Sequence, residues 1–307
     1  MMEHIDDPPQ VSTKAVVLSQ SDLPALFQSA DESSLQGQHR YLTATRFRLL
    51  MLVLAATSSL VGFGEPGSEI VGWAAAAAFA LALFAEVSIL VMRPERVWHE
   101  GRSAAESAKT LAWRYAVGGH PFGIEELDER KADQLLLQRL KEVLRDLKNL
   151  ELGAALGQEQ ITDRMRALRA EPFEERRSAY GIGRIEDQRI WYARRAARDE
   201  GRARLWMTSM IALEILGVTL GVLRATGTLR VDLLGIAATI AGAIAAWMQV
   251  KQHQTQARAY FIAAQELAAI RSEMTTHDTE TEWASFVDQA EEAISREHVL
   301  WRASRSS

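Results

Sequence analysis

The sequence predicts an all-α integral membrane protein, with four transmembrane helices arranged as two hairpins and with cytosolic helical arms. Three observations lead there. Residues 70–92 are apolar and carry the single charge Glu86. At ~1.5 Å per residue they form a helix of roughly 34 Å, enough for a hydrocarbon core of ~30 Å. A preceding apolar run, 47–64, is joined to it by a short loop with Gly64, Pro66 and Gly67. A second pair of runs, 205–223 and 231–250, repeats this arrangement. Core helices of soluble proteins rarely stay apolar on every face for ~20 residues.

Composition agrees once the chain is divided. Mean hydropathy is −0.10 over 307 residues, because apolar spans and charged arms cancel. The net charge of −5 is spread out, so no nucleic-acid partner is expected. The absence of cysteine excludes disulfides, thiolate nucleophiles and cysteine metal sites. No secretory signal peptide is expected, since the first 45 residues are polar and begin with Asp6, Asp7, Pro8 and Pro9.

Basic residues orient the spans. Arg40, Arg46 and Arg48 flank the first, and Arg93 and Arg96 follow the second. Arg194, Arg195, Arg198, Arg202 and Arg204 lead into the third, and Lys251 and Arg258 follow the fourth. The loop at 64–69 has none, although Arg224 and Arg230 sit at the other outer loop. The expectation is a bacterial inner-membrane, multi-pass protein with both termini cytosolic.

The chain divides into five parts: an N-terminal cytosolic segment (1–45), a first hairpin plus cytosolic helix (46–122), a helical connector (123–175), a second hairpin unit (176–275) and a C-terminal amphipathic helix (276–307). Residues 1–20 are expected to be disordered, and Ser21 or Asp22 can cap a short helix over about Leu23 to Ala30. The pair Arg93-Pro94 marks a break at the inner membrane surface. The next helix ends at Gly118-Gly119. Leu136, Leu140, Val143, Leu147 and Leu150 alternate at spacings of four and three, a two-heptad seam. The segment 180–184, Tyr-Gly-Ile-Gly-Arg, lacks a third glycine and any Gly-Lys-Ser/Thr, so it reads as a turn rather than a phosphate loop. The fourth span is expected to run on as helix to about residue 274. Thr279 and Glu282 form a capping box for the last helix, whose apolar stripe includes Trp283, Val287, Ala290 and Ile294. A repeat at a shift of ~160 residues superposes the two hairpins.

No catalytic constellation is present, and neither a metal site nor a cofactor is expected. His99-Glu100 lacks the second histidine of a zinc motif, and no serine lies in Gly-x-Ser-x-Gly. Candidate functional residues are of three kinds. Glu86 and Glu214 are the acidic residues well inside apolar spans; they form either an acidic layer facing a wet interior or hydrogen-bonded packing features. Gly217 and Gly221, with Gly235 and Gly242, mark small faces for helix packing, within one chain or between copies. Trp98, Arg102, Glu106, Lys109 and Trp113 share one cytosolic helix face. With Trp191 and Tyr192 they form a candidate coupling face, open to two readings: an intramolecular seam or a ligand surface.

The run Ser21-Asp22-Leu23-Pro24-Ala25-Leu26, with Ala30-Asp31 and the stretch Gln38 to Tyr41, resembles the N-terminal form of the SLATT superfamily. So do Trp98 with Arg102, Ala105-Glu106, Lys109, Trp113-Arg114-Tyr115 and Pro121-Phe122. The segment 184–196, with Asp187-Gln188 and Trp191-Tyr192, resembles the opening of a second such unit, and Ser295-Arg296-Glu297-His298 with Trp301 is similar to the close of tandem members. The resemblance implies a pore-forming effector of a bacterial conflict or antiphage system, with no catalytic motif to carry over. Its implied partners are membrane lipid, further copies of the chain, and a sensor protein or nucleotide second messenger as trigger. The rival reading is a membrane-anchored scaffold that does not conduct.

Overall fold

A computed structural model describes residues 17–58, 67–147, 159–229 and 233–303, with side chains up to residue 295. No strand occurs among the described residues. Helix α1 (Ala25–Thr57) is a single rod that begins in the soluble layer and ends in the first apolar run. Its start is tied down by the chain at 159–162. Ala25 N donates to the Glu159 carbonyl at 3.0 Å, and the Thr162 hydroxyl donates to the Asp22 carbonyl at 2.7 Å. The unstructured start expected over 1–20 lies outside the described residues up to residue 16. Leu18 is already buried, so ordering begins earlier than composition suggested. The expected short helix from Leu23 is the first part of α1.

Helix α2 (Ser68–Met92) is the apolar span, and α3 (Pro94–Val117) returns along the soluble part of α1. Between them Arg93 is left-handed, φ 46°, ψ 50°. Proline at 94 disfavours the right-handed helical region for the residue before it, which accounts for the break. Then come α4 (Glu129–Asp146), α5 (Asp163–Ala170) and α6 (Phe173–Tyr180). Leu136 and Leu140 of the heptad pattern are buried, with α4 packed on α3; Leu150 lies outside the described residues.

The stretch 180–184 corrects the sequence reading. It is not a turn: Gly181–Glu186 forms a π-helical turn inside a helix that runs unbroken from α6 into α7 (Asp187–Ala225). Two glycines in five residues suggested a chain reversal, but both hold helical geometry within the bundle. Helix α8 (Leu233–Lys251) follows, then α9 (His253–Glu273) and α10 (Glu280–Ala303). The fourth span does not run straight into α9. Gln252 interrupts it in the left-handed region, φ 46°, ψ 37°. No proline or glycine signals this second break.

The stretches long and apolar enough to cross a membrane lie within Ser68–Val117, Phe173–Ala225 and Leu233–Thr276. The fourth expected span, 47–64, falls outside the described residues beyond Ser58. The internal repeat is visible in the packing: α1 packs on α2 and α3, as α7 packs on α8 and α9, and α1 meets α8. The left-handed breaks at Arg93 and Gln252 occupy corresponding places in the two units.

Close approach of α1 and α3 depends on two glycines. A Cβ on Gly101 would stand 2.9 Å from the Ala30 carbonyl oxygen and from Ser34 N. One on Gly37 would stand 2.7 Å from Trp98 N. These neighbours are helix backbone and cannot yield as a flexible side chain would. Gly101→Val should therefore destabilise the fold by about 1–3 kcal/mol, as overpacking does. Gly72→Val, where nothing lies within 4 Å, should be nearly neutral. Melting of the detergent-solubilised proteins compares them.

Candidate functional site

The soluble helices meet around the C-terminal end of α3, whose carbonyls are all the more demanding for being buried. Buried Arg169 donates to the Tyr115 carbonyl at 2.9 Å and to Phe122 at 2.7 Å. Arg176 and the Trp283 indole both donate to the Val117 carbonyl, at 2.9 and 2.8 Å. Cations and donors at a helix C-terminus satisfy its orphan carbonyls and oppose its partial negative charge. Arg176 of α6 also pairs with Glu280, and Arg114 of α3 with Asp288 at 2.8 Å, so α10 is fastened to both helices.

One turn deeper lies an ion pair with no solvent exposure on either side chain. Arg184 of the π-helical turn meets Glu291 of α10 through two hydrogen bonds, Nε at 2.8 Å and Nη2 at 2.7 Å. The same carboxylate accepts from the Thr110 hydroxyl of α3 at 2.8 Å and from Tyr180 at 3.0 Å. Burial is the largest influence on the Arg184 guanidinium and pulls it down, but the Glu291 charge, the hydrogen bonds to Glu291 and the Glu106 charge together hold it above ordinary arginine. Burial, then the Glu291 charge, pushes the Tyr180 phenol well up, so it remains a donor.

The sequence-predicted coupling face borders this network. Trp98 is buried, stacked on His99 at 5.0 Å and tilted to Tyr41 at 6.4 Å. Trp113 is buried edge-on to Tyr180 at 5.9 Å. Arg102, Glu106 and Lys109 are half-buried on the same face of α3. Lys109 reaches Gln188 at 3.5 Å, and burial followed by the Arg184 charge lowers its pKa. Trp191 and Tyr192 pack apart from these, in a cluster with Tyr260 of α9 at 5.5 and 5.7 Å. Tyr192 is buried, while Trp191 is more than a third exposed.

Within the apolar region, Glu86 of α2 is ion-paired with Arg48 of α1. The side chains are 48% and 29% exposed, at the wall of a cleft of about 650 Å³ between α1, α2 and α8. Glu214 is exposed on α7 and has no hydrogen bond or ion pair among the described residues. The structure therefore places the two carboxylates in different surroundings. Gly217 and Gly242 have nothing within 4 Å of a would-be Cβ, and Gly221 has only Leu234 Cδ2 at 3.9 Å. The Gly235 carbonyl accepts from the Thr239 hydroxyl within α8. Among the described residues no cluster of His, Asp or Glu could hold a metal ion.

Sequence reasoning passed over Glu291 and Thr110, and took Arg48 only as a flank of the first span and Arg184 only as part of a segment. A signal for Glu291 was available: it falls among Val287, Ala290 and Ile294, a lone carboxylate on an apolar stripe. Arg48, in the same way, is a charge past the start of an apolar run.

Three long apolar helical stretches among the described residues, joined to a bundle of polar helices, define an all-helical membrane protein. Residues 24–177 match the family model described as SMODS and SLOG-associating 2TM effector domain 3, and residues 180–301 match effector domain 1 of the same group. The chain belongs to the SLATT family and carries two of its membrane effector domains in tandem. No curated protein and no solved structure matches it.

Thr110 lies in the first matched segment, and Tyr180, Arg184 and Glu291 lie in the second, so the buried network locks the two domains together. Glu291→Ala should cost roughly 3–5 kcal/mol, because it leaves the guanidinium buried and unpaired. The double replacement Arg184→Met, Glu291→Leu should cost less than that single change. Denaturation midpoints of the solubilised proteins test this; equal or greater loss in the double variant would contradict the pairing.

Proposed function

We propose that the chain is a pore-forming effector of a bacterial conflict system, assembled from several copies and gated through its soluble helices. In this reading four spans cross the inner membrane, with both termini and residues 94–204 cytosolic. The family supplies the effector role. The observation that supports a pore is the charge a single chain leaves uncovered at membrane depth. Glu214 is exposed on α7, and the Arg48–Glu86 pair is partly exposed in an open cleft. A charged side chain at the centre of a span costs roughly 2.5–3.5 kcal/mol on insertion scales, so such groups face protein or water rather than lipid. Neighbouring copies around a wet lumen supply both. The open faces at Gly217, Gly221 and Gly242 allow the close helix contact this needs.

Acid rings in a lumen favour cations. Glu86 is neutralised by Arg48 within the chain, so Glu214 carries more of the selectivity. A trigger, either a sensor protein or a nucleotide, acts on the half-buried Arg102, Glu106 and Lys109 beside the buried Trp98 and Trp113 of α3, and the α3–α2 and α9–α8 connections carry the change into the spans.

Topology is the first test. Reporter fusions after Pro66 and Gly227 should be periplasmic, and one after Gln134 cytosolic; a periplasmic signal at Gln134 would remove the four-span arrangement. Conductance is the second. The protein in liposomes should pass ions with cation preference, and Glu86→Gln with Glu214→Gln should shift the reversal potential toward non-selectivity while helix content is kept. A protein that inserts but passes no ions under any trigger would be a membrane scaffold.

A further inference from the structure

The apolar cleft between α1, α2 and α8 ends, toward the soluble helices, at a group of cations that the pore reading does not use. Leu49 and Leu52 of α1, Phe79 and Leu83 of α2, and Ala243 and Ala246 of α8 line the cleft. The next residue on α8 is Trp247, which is buried. The Arg46 guanidinium lies over its indole ring at 4.8 Å, and Lys251 Nζ approaches the same ring at 5.8 Å. Two further cations stand nearby on α7. Arg195, Arg46 and Arg202 all repel Lys251, and Asp199 is the carboxylate that offsets them.

Asp199 is already shared. It receives Arg195 at 3.4 Å, Arg202 at 3.7 Å and His253 Nδ1 at 3.0 Å. Burial holds the His253 imidazole below its ordinary value, against the pull of Asp199. Arg48, by contrast, is matched by Glu86. Arg195, Arg202 and Lys251 thus share one carboxylate, and Arg46 joins Lys251 over the Trp247 ring, next along α8 from the apolar cleft.

We infer that this corner binds one anionic phospholipid, its phosphate held between Arg46 and Lys251 and an acyl chain laid in the α1–α2–α8 cleft. Basic pockets between spans on the membrane face bearing the soluble domain are suited to anionic headgroups, each cation adding attraction near the surface. The indole provides a flat wall that orients both cations. Free phosphate would satisfy only the charged end; a lipid satisfies the cleft as well. The inference needs the chain to lie in a membrane but not to conduct, so loss of lipid preference and loss of ion flux are separate results.

The test is native mass spectrometry of the full chain, released from nanodiscs of equal phosphatidylglycerol and phosphatidylcholine. One phosphatidylglycerol per chain should be retained over phosphatidylcholine by about ten- to thirty-fold. Arg46→Gln with Lys251→Gln should bring that ratio close to one. Arg40→Gln with Arg93→Gln, both exposed and away from the cleft lining, should leave it unchanged. Ala243→Phe, which fills the cleft, should lower retention with all cations in place. Millimolar inorganic phosphate should not displace the lipid. The inference is overturned if the Arg46/Lys251 variant keeps its preference, if Ala243→Phe retains lipid as the parent does, or if inorganic phosphate displaces it. Circular dichroism of each variant excludes unfolding as the cause of a loss.

Discussion

The soluble half of this protein depends on the carboxylate of Glu291. Four donors from three elements converge on it: Arg184 twice from the π-helical turn, Thr110 from α3 and Tyr180 from the end of α6. Such a site is expensive to desolvate and weak as a source of net stability, but it strongly penalises any arrangement that separates its members. Leucines at these places would bury as much apolar surface and would tolerate sliding. The ion pair sets a single register between the two domains, and the capping contacts of Arg169, Arg176 and Trp283 extend it along α3.

That register reaches the membrane because α1 and α7 are continuous from soluble layer to apolar region. Neither has a loop between its soluble and apolar parts where motion could dissipate. The soluble parts are fastened by close contact, through Gly37 and Gly101 in the first unit and through the Trp191, Tyr192 and Tyr260 rings in the second. The two tandem domains therefore make corresponding helix crossings in two ways, one with small residues and one with aromatic packing.

The long apolar runs, the α3 stop at Gly118, the Arg93 break and the Thr279 cap could all be read from the sequence, because each is set by residues within a few positions. The family resemblance was legible for the same reason, its motifs being local. What was hidden depends on distant partners. Arg184 and Glu291 are far apart in the chain, and only folding shows that one charge answers the other. The Gly181 and Gly183 pair misled because glycine marks both reversals and helix segments under close contact. Helical spacing suggested a shared face for Trp98 and Trp113, but which neighbours they meet is decided by distant elements: Trp98 packs by Tyr41 of α1 and Trp113 by Tyr180 of α6. Gln252 could not be foreseen, since nothing beside it forbids a continuous helix.

Arginine and glutamine at the two left-handed breaks have a mechanical consequence. Glycine would enter that conformation freely and make a slack joint. A residue with a Cβ is confined there to a small well, at a cost of roughly 1–2 kcal/mol. Each break is therefore a stiff elbow, held bent by the packing on either side of it. A stiff elbow does not absorb movement of the limb above it. Each elbow instead fixes the angle at which α2 leaves α3 and α8 leaves α9, and does so in corresponding places.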